Sequence, residues 1–213
     1  MISNDELRII RNSLDVPRII FTDVICQKIG PFEFKGHMFH ELGTLYLNIL
    51  HVWKDIMSSR WGVGLPFWDS LCDIVNDLDY DMVYRNLRNI NGNKYKDGIN
   101  IEWHKFCDKI SSDTSLHPIW KAIWVFLWFT REQPFNDYNL ELGLLLANKV
   151  LAEEEYLGEL KSGVGDGHGV LSLPKKHRDS DIILWQELSR YMNGASDVNI
   201  EYLLNEMEKL CHI

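Results

Sequence analysis

A chain of 213 residues with 46% apolar and 12% aromatic content can bury one substantial core, and a single domain over 1–213 is the natural expectation. Its net charge of −9 and pI near 5.3, with Lys175-Lys176-His177-Arg178 as the longest basic cluster, give little attraction for nucleic acid or an acidic membrane surface. The most apolar run, Ala122 to Phe129, falls short of the roughly 20 residues of a membrane span, and four scattered cysteines (Cys26, Cys72, Cys107, Cys211) with no leader pattern fit a reducing, cytoplasmic setting.

In chain order, Leu42, Leu45, Tyr46, Ile49, Leu50, Trp53, Ile56 and Met57 recur at amphipathic spacing and predict a helix from about Met38 to Ser58. His37, His40 and Glu41 near its start share a helical face, but lack H-E-x-x-H spacing and read as ordinary polar residues. Shorter helical patterns follow at Pro66–Leu78 and Glu102–Ile110. Between Tyr84 and Asn100, the pairs Asn91-Gly92 and Asp97-Gly98 supply the positive φ that tight turns require, which predicts a small β-hairpin. Pro118 to Thr130 is apolar on nearly every side, so it belongs in the middle of a bundle; Trp120, Trp124 and Trp128 at i, i+4 and i+8 could line a ligand pocket, but their equally apolar neighbours favour core packing. A second apolar helix runs from Asn139, read as its cap, to Gly158, and the run Glu153-Glu154-Glu155 reads as its solvated end. Glycine-rich Gly163–Gly169 reads as a connector, without the Gly-Lys-Ser/Thr of a P-loop. Two last helices are expected at Asp181–Met192 and Asn199–Leu210. The fold class is all-α, a helical bundle with one small hairpin.

Thr130-Arg-Glu-Gln-Pro-Phe-Asn-Asp-Tyr-Asn139 is a polar island between the two apolar helices. A loop that feeds a helix N-terminus presents free N–H groups and partial positive charge, which suits an anion. Asp137 is placed to hold Mg²⁺ against a phosphate, and Asn139 to face the same group. On spacing alone, a capped turn between core helices explains the island more simply.

The stretch from His117 through Asn148 resembles the core of the Fic/Doc (Fido) family, whose signature is H-P-F-x-D/E-G-N-G-R-x-x-R. Pro134, Phe135, Asp137 and Asn139 match it in register. The resemblance extends upstream, where Asn89–Asn100 looks like the family's substrate-aligning flap, and downstream to Gly169–Arg178. It implies a Fido-like core over 84–213 and an N-terminal helical extension over 1–83.

The departures fall on the chemistry that the resemblance implies. The family moves AMP or another phosphate-containing group onto a hydroxyl that the motif histidine deprotonates, and this chain has Gln133 at that position. An amide takes no proton at neutral pH, and loss of a general base typically lowers the rate about 10²- to 10⁴-fold. Glu141 replaces the first motif arginine and Leu144 the second, which reverses charge beside a polyanion. Tyr138 and Leu140 replace the motif glycines, where side chains crowd the anion nest and resist glycine's φ values. His117 stands sixteen residues from Gln133, roughly 24 Å along a helix, too far to substitute as base; His168 lies in the glycine-rich connector.

The expectation is a pseudoenzyme that acts through a protein partner as regulator, effector or complex subunit, with no cofactor and no nucleic-acid or membrane partner. The alternative is a Fic-type transferase of altered chemistry, using Mg²⁺ and ATP, with Asp137 on the metal, Asn139 on the phosphate, and the target hydroxyl activated by His168 from the glycine-rich connector or by no base at all.

Overall fold

The computed structural model describes residues 16–21, 38–57, 64–78, 98–135, 137–153, 171–174 and 179–211. Over 38–44 it describes only the backbone. The described chain is all-α. A helical turn at 16–21 precedes α1 (Met38–Met57), α2 (Trp68–Leu78), α3 (Ile99–Ser112), α4 (Pro118–Glu132), α5 (Asn139–Glu153), a 3-10 turn at Asp179–Asp181, α6 (Ile182–Met192) and α7 (Ile200–Leu210). No strand occurs among the described residues.

Helix α1 buries Ile49, Val52, Trp53 and Ile56 on one stripe and leaves Leu47 exposed on the other face. In α2, Trp68, Leu71, Ile74, Val75 and Leu78 repeat the pattern, and the Asn48 amide donates to the Leu78 carbonyl at 3.0 Å, joining α1 to the end of α2. Helix α3 begins at Ile99, three residues before the expected start. Gly98 caps it in the left-handed region, φ 76°, and accepts from the Ile101 N–H. The described end of the predicted hairpin, 98–100, is therefore a cap and first helical turn; the rest of it lies outside the described residues. Trp103 of α3 donates its indole N–H to Pro66 O at 2.9 Å and packs on Trp128 and Phe129 of α4.

The centre is the α4–α5 pair. Pro118 occupies the first turn of α4, where its missing N–H removes no helical bond, and the His117 ring accepts from the Ile119 N–H. Every residue of α5 from Glu141 to Leu151 is buried. The two helices approach so closely that a Cβ on Gly143 would stand 3.1 Å from Phe129 Cβ. Helix α5 also meets α1, while α4 carries α6 and α7. One hydrophobic cluster runs from Val16 to Cys211, and the Asn199 side chain caps α7 through the Tyr202 N–H.

Candidate functional site

Helix α4 ends at Gln133, whose N–H bonds to Phe129 O while its own backbone turns left-handed at φ 45°. The Gln133 side chain is exposed. Pro134 and Phe135 turn inward, and the Phe135 ring stacks on Trp68 of α2 with centroids 5.3 Å apart and planes within 6°. Asp137 is exposed and accepts the N–H of Tyr138 at 2.8 Å. Tyr138 is left-handed, φ 63°, and its carbonyl receives the Leu142 N–H to open α5. The tyrosine thus adopts the dihedral that the sequence reading reserved for glycine, and the expected resistance does not prevent it.

Asn139 does not cap α5, contrary to its expected role. It is the first helical residue, and its side chain reaches back along the loop: Oδ1 accepts from Phe135 N at 3.0 Å, and Nδ2 donates to Phe135 O at 2.7 Å. The physical reason is demand. Phe135 lies at a bend, 4% exposed and outside any helix, and a primary amide satisfies its N–H and C=O together. Glu141 is 1% exposed and Leu144 is fully buried, so both positions aligned with motif arginines face the interior. Gln133, Asp137, Asn139 and Glu141 therefore share one loop but not one solvent-facing surface. Beside them Arg131 is committed elsewhere, donating to the carbonyls of Tyr191, Ala195 and Gly194 at 2.9, 3.0 and 3.3 Å and capping the end of α6 with a positive charge.

His117 stands at the opposite end of α4, as its sequence position requires. His168, His37 and the side chains of His40 and Glu41 lie outside the described residues, as do Gly163–Gly169. Among the described residues no group of three metal-ligating side chains comes together. No described helix is long and apolar enough to cross a membrane. Burial pushes the thiols of Cys107 and Cys211 up to about 12, which leaves them protonated and poor nucleophiles.

Three contacts were not legible as functions of single residues. Asn148 is wholly buried in α5 and grips Leu171, accepting its N–H at 2.8 Å and donating to its carbonyl at 3.2 Å. Lys149, 1% exposed, pairs with Glu153 one turn later, and the same carboxylate accepts the N–H of Gly64 at 3.0 Å. Glu153 closes α5 as an exposed residue, as expected of a solvated helix end, and it also links α5 to the segment before α2 and meets the buried Lys149 ammonium, which requires a counter-charge; Glu154 and Glu155 lie outside the described residues. The signal for both was the polar pair Asn148-Lys149 inside an otherwise apolar run.

The tryptophan stripe of α4 is less completely core than expected. Trp128 packs among Trp103, Phe106 and Phe129, but Trp120 is half-buried with its indole N–H on Glu208 at 2.8 Å, and Trp124 is half-buried too. Trp124 and Trp128 form one wall of a cleft of about 240 Å³ between α3, α4 and the end of α6.

The chain matches no protein-family profile, no curated protein and no solved structure.

Proposed function

We propose that this is a Fido-like pseudoenzyme, silent in AMP transfer, which acts through protein contacts as a regulator, effector or complex subunit. The observation that carries the reading is the engagement of the loop with itself. It keeps two left-handed residues and the motif register of Pro134, Phe135, Asp137 and Asn139, yet Asn139 is bonded twice to Phe135. Gln133 supplies no base, and the position of the first motif arginine holds a buried glutamate, which offers a phosphate no positive charge.

Titration of the purified protein with Mg-ATP tests the reading. The expected result is no saturable binding at millimolar nucleotide and no self-modification, in the native chain and in Gln133→His, which alters an exposed side chain only. Micromolar binding abolished by Asp137→Ala would replace this reading with that of a transferase using Asp137 and Mg²⁺. The converse reversion Glu141→Arg is a poor probe, because it forces a guanidinium into a buried position.

A further inference from the structure

We propose that the cleft between α3, α4 and α6 binds a methylated ammonium head group, a site separate from the 133–139 loop and independent of how that loop is read. Its walls are aromatic: Phe106 from α3, Trp124 and Trp128 from α4, and Tyr191 from α6. The Phe106 and Trp128 rings pack on each other at the cleft, with centroids 5.7 Å apart and planes 29° from parallel. Trp124 and Tyr191 are only half-buried. Aromatic faces of this kind attract a cation through the ring quadrupole, most strongly for tryptophan. The Tyr191 ring already carries the Arg131 guanidinium, its carbon 4.9 Å from the centroid, so the cation surface of the cleft rests on Trp124, Trp128 and Phe106, and Arg131 opposes a second cation near Tyr191.

A carboxylate stands at the rim of the same cleft. Asp113 ends α3 and lines the cavity, and it accepts the Ser115 hydroxyl at 2.6 Å and the Ser115 N–H at 3.0 Å. Those bonds hold its carboxyl below the usual range, so it is ionised at any physiological pH. The C-terminus of α3 adds partial negative charge from its last carbonyls. Size limits the ligand: about 240 Å³ is below the ~300–1,000 Å³ of drug-sized pockets and suits one compact head group. Lys109 opposes a cation, and it lines the cleft one helical turn before Asp113. Its apolar stem is long enough to pack on the aromatic wall while the ammonium turns to water.

Calorimetric titration at low ionic strength, with choline and with its neutral carbon isostere dimethylbutanol, tests the proposal. The two probes have the same shape, so any preference reports charge. The expected result is saturable choline binding at least about tenfold tighter than the isostere. Asp113→Asn, which keeps an oxygen acceptor for Ser115, should weaken choline several-fold and leave the isostere unchanged. Trp124→Leu should abolish binding, and Lys109→Ala should strengthen it. A parallel titration with trimethyllysine distinguishes a free amine from a protein-borne methylated side chain as the source of the head group. Equal or tighter binding of the isostere, no saturable choline binding at tens of millimolar, or an Asp113→Asn variant that binds choline undiminished overturns the proposal.

Discussion

Two asparagines nine positions apart on α5 make the same grip with different neighbours. Asn139 accepts from and donates to the backbone of Phe135; Asn148 accepts from and donates to the backbone of Leu171. Asn139 falls in a stretch that resembles a phosphate-handling motif, and Asn148 falls in an apolar run outside that signature. Their shared geometry shows that a motif asparagine in this chain has a sufficient structural reason to be there. An amide side chain offers a donor and an acceptor side by side, so it satisfies both backbone groups of a residue outside any helix. The difference lies in surroundings. Asn148 is wholly buried, whereas Asn139 keeps one side toward solvent.

The comparison depends first on the close α4–α5 approach that positions both side chains. Gly143→Val drives branched carbons into Phe129 and the Phe126 carbonyl, at contacts that are already 3.1 and 3.4 Å for a Cβ alone. Overpacking of this kind is expected to destabilise by about 3 kcal/mol, read as a lowered midpoint in urea. Next comes Asn148→Ala. It strands the N–H and C=O of Leu171 in the interior and is expected to lose about 2–3 kcal/mol. Asn139→Ala exposes the corresponding groups of Phe135 to a half-solvated loop, and about 1 kcal/mol is expected. If Asn139→Ala leaves the urea midpoint where it was, the grip on Phe135 is incidental and a ligand role for Asn139 regains its force.

Much of this was legible in the chain. The helices predicted from apolar spacing at 38, 118 and 199 begin within a residue of the observed starts, because a buried stripe and a cap are local properties. The start of α3 was missed by three residues, since Gly98 in the left-handed region serves a helix cap as readily as a hairpin turn. Site geometry was harder to read. An asparagine at a helix start has two directions in which to turn, and only the position of Phe135 against Trp68 selects the backward one. The aromatic cleft was legible only in part: the tryptophan stripe offered a pocket wall, but equally apolar neighbours favoured core packing, and the other walls come from α3 and α6, whose ends no spacing within α4 reports.

The smallest expected effect asks whether the loop still has the backbone of a glycine-bearing motif. Tyr138 stands where the resembled motif has a glycine and adopts φ 63°; Gln133, where it has a histidine, adopts φ 45°. Left-handed backbone costs an L-residue roughly 1–2 kcal/mol, an amount that glycine avoids while losing more entropy on folding. At exposed Gln133, the amide side chain contributes little packing, so Gln133→Gly is expected to stabilise by about 0.5 kcal/mol. At Tyr138 the ring packs partly on the core, and Tyr138→Gly exchanges that burial for the same relief. The expected outcome is a gain for the first substitution and a loss or no change for the second, read from paired urea midpoints. That pattern would mean the tyrosine is retained for its ring, in a turn whose shape asks for glycine. A gain at Tyr138 larger than at Gln133 would mean that the ring adds little, and that strain at the motif position is the stronger term.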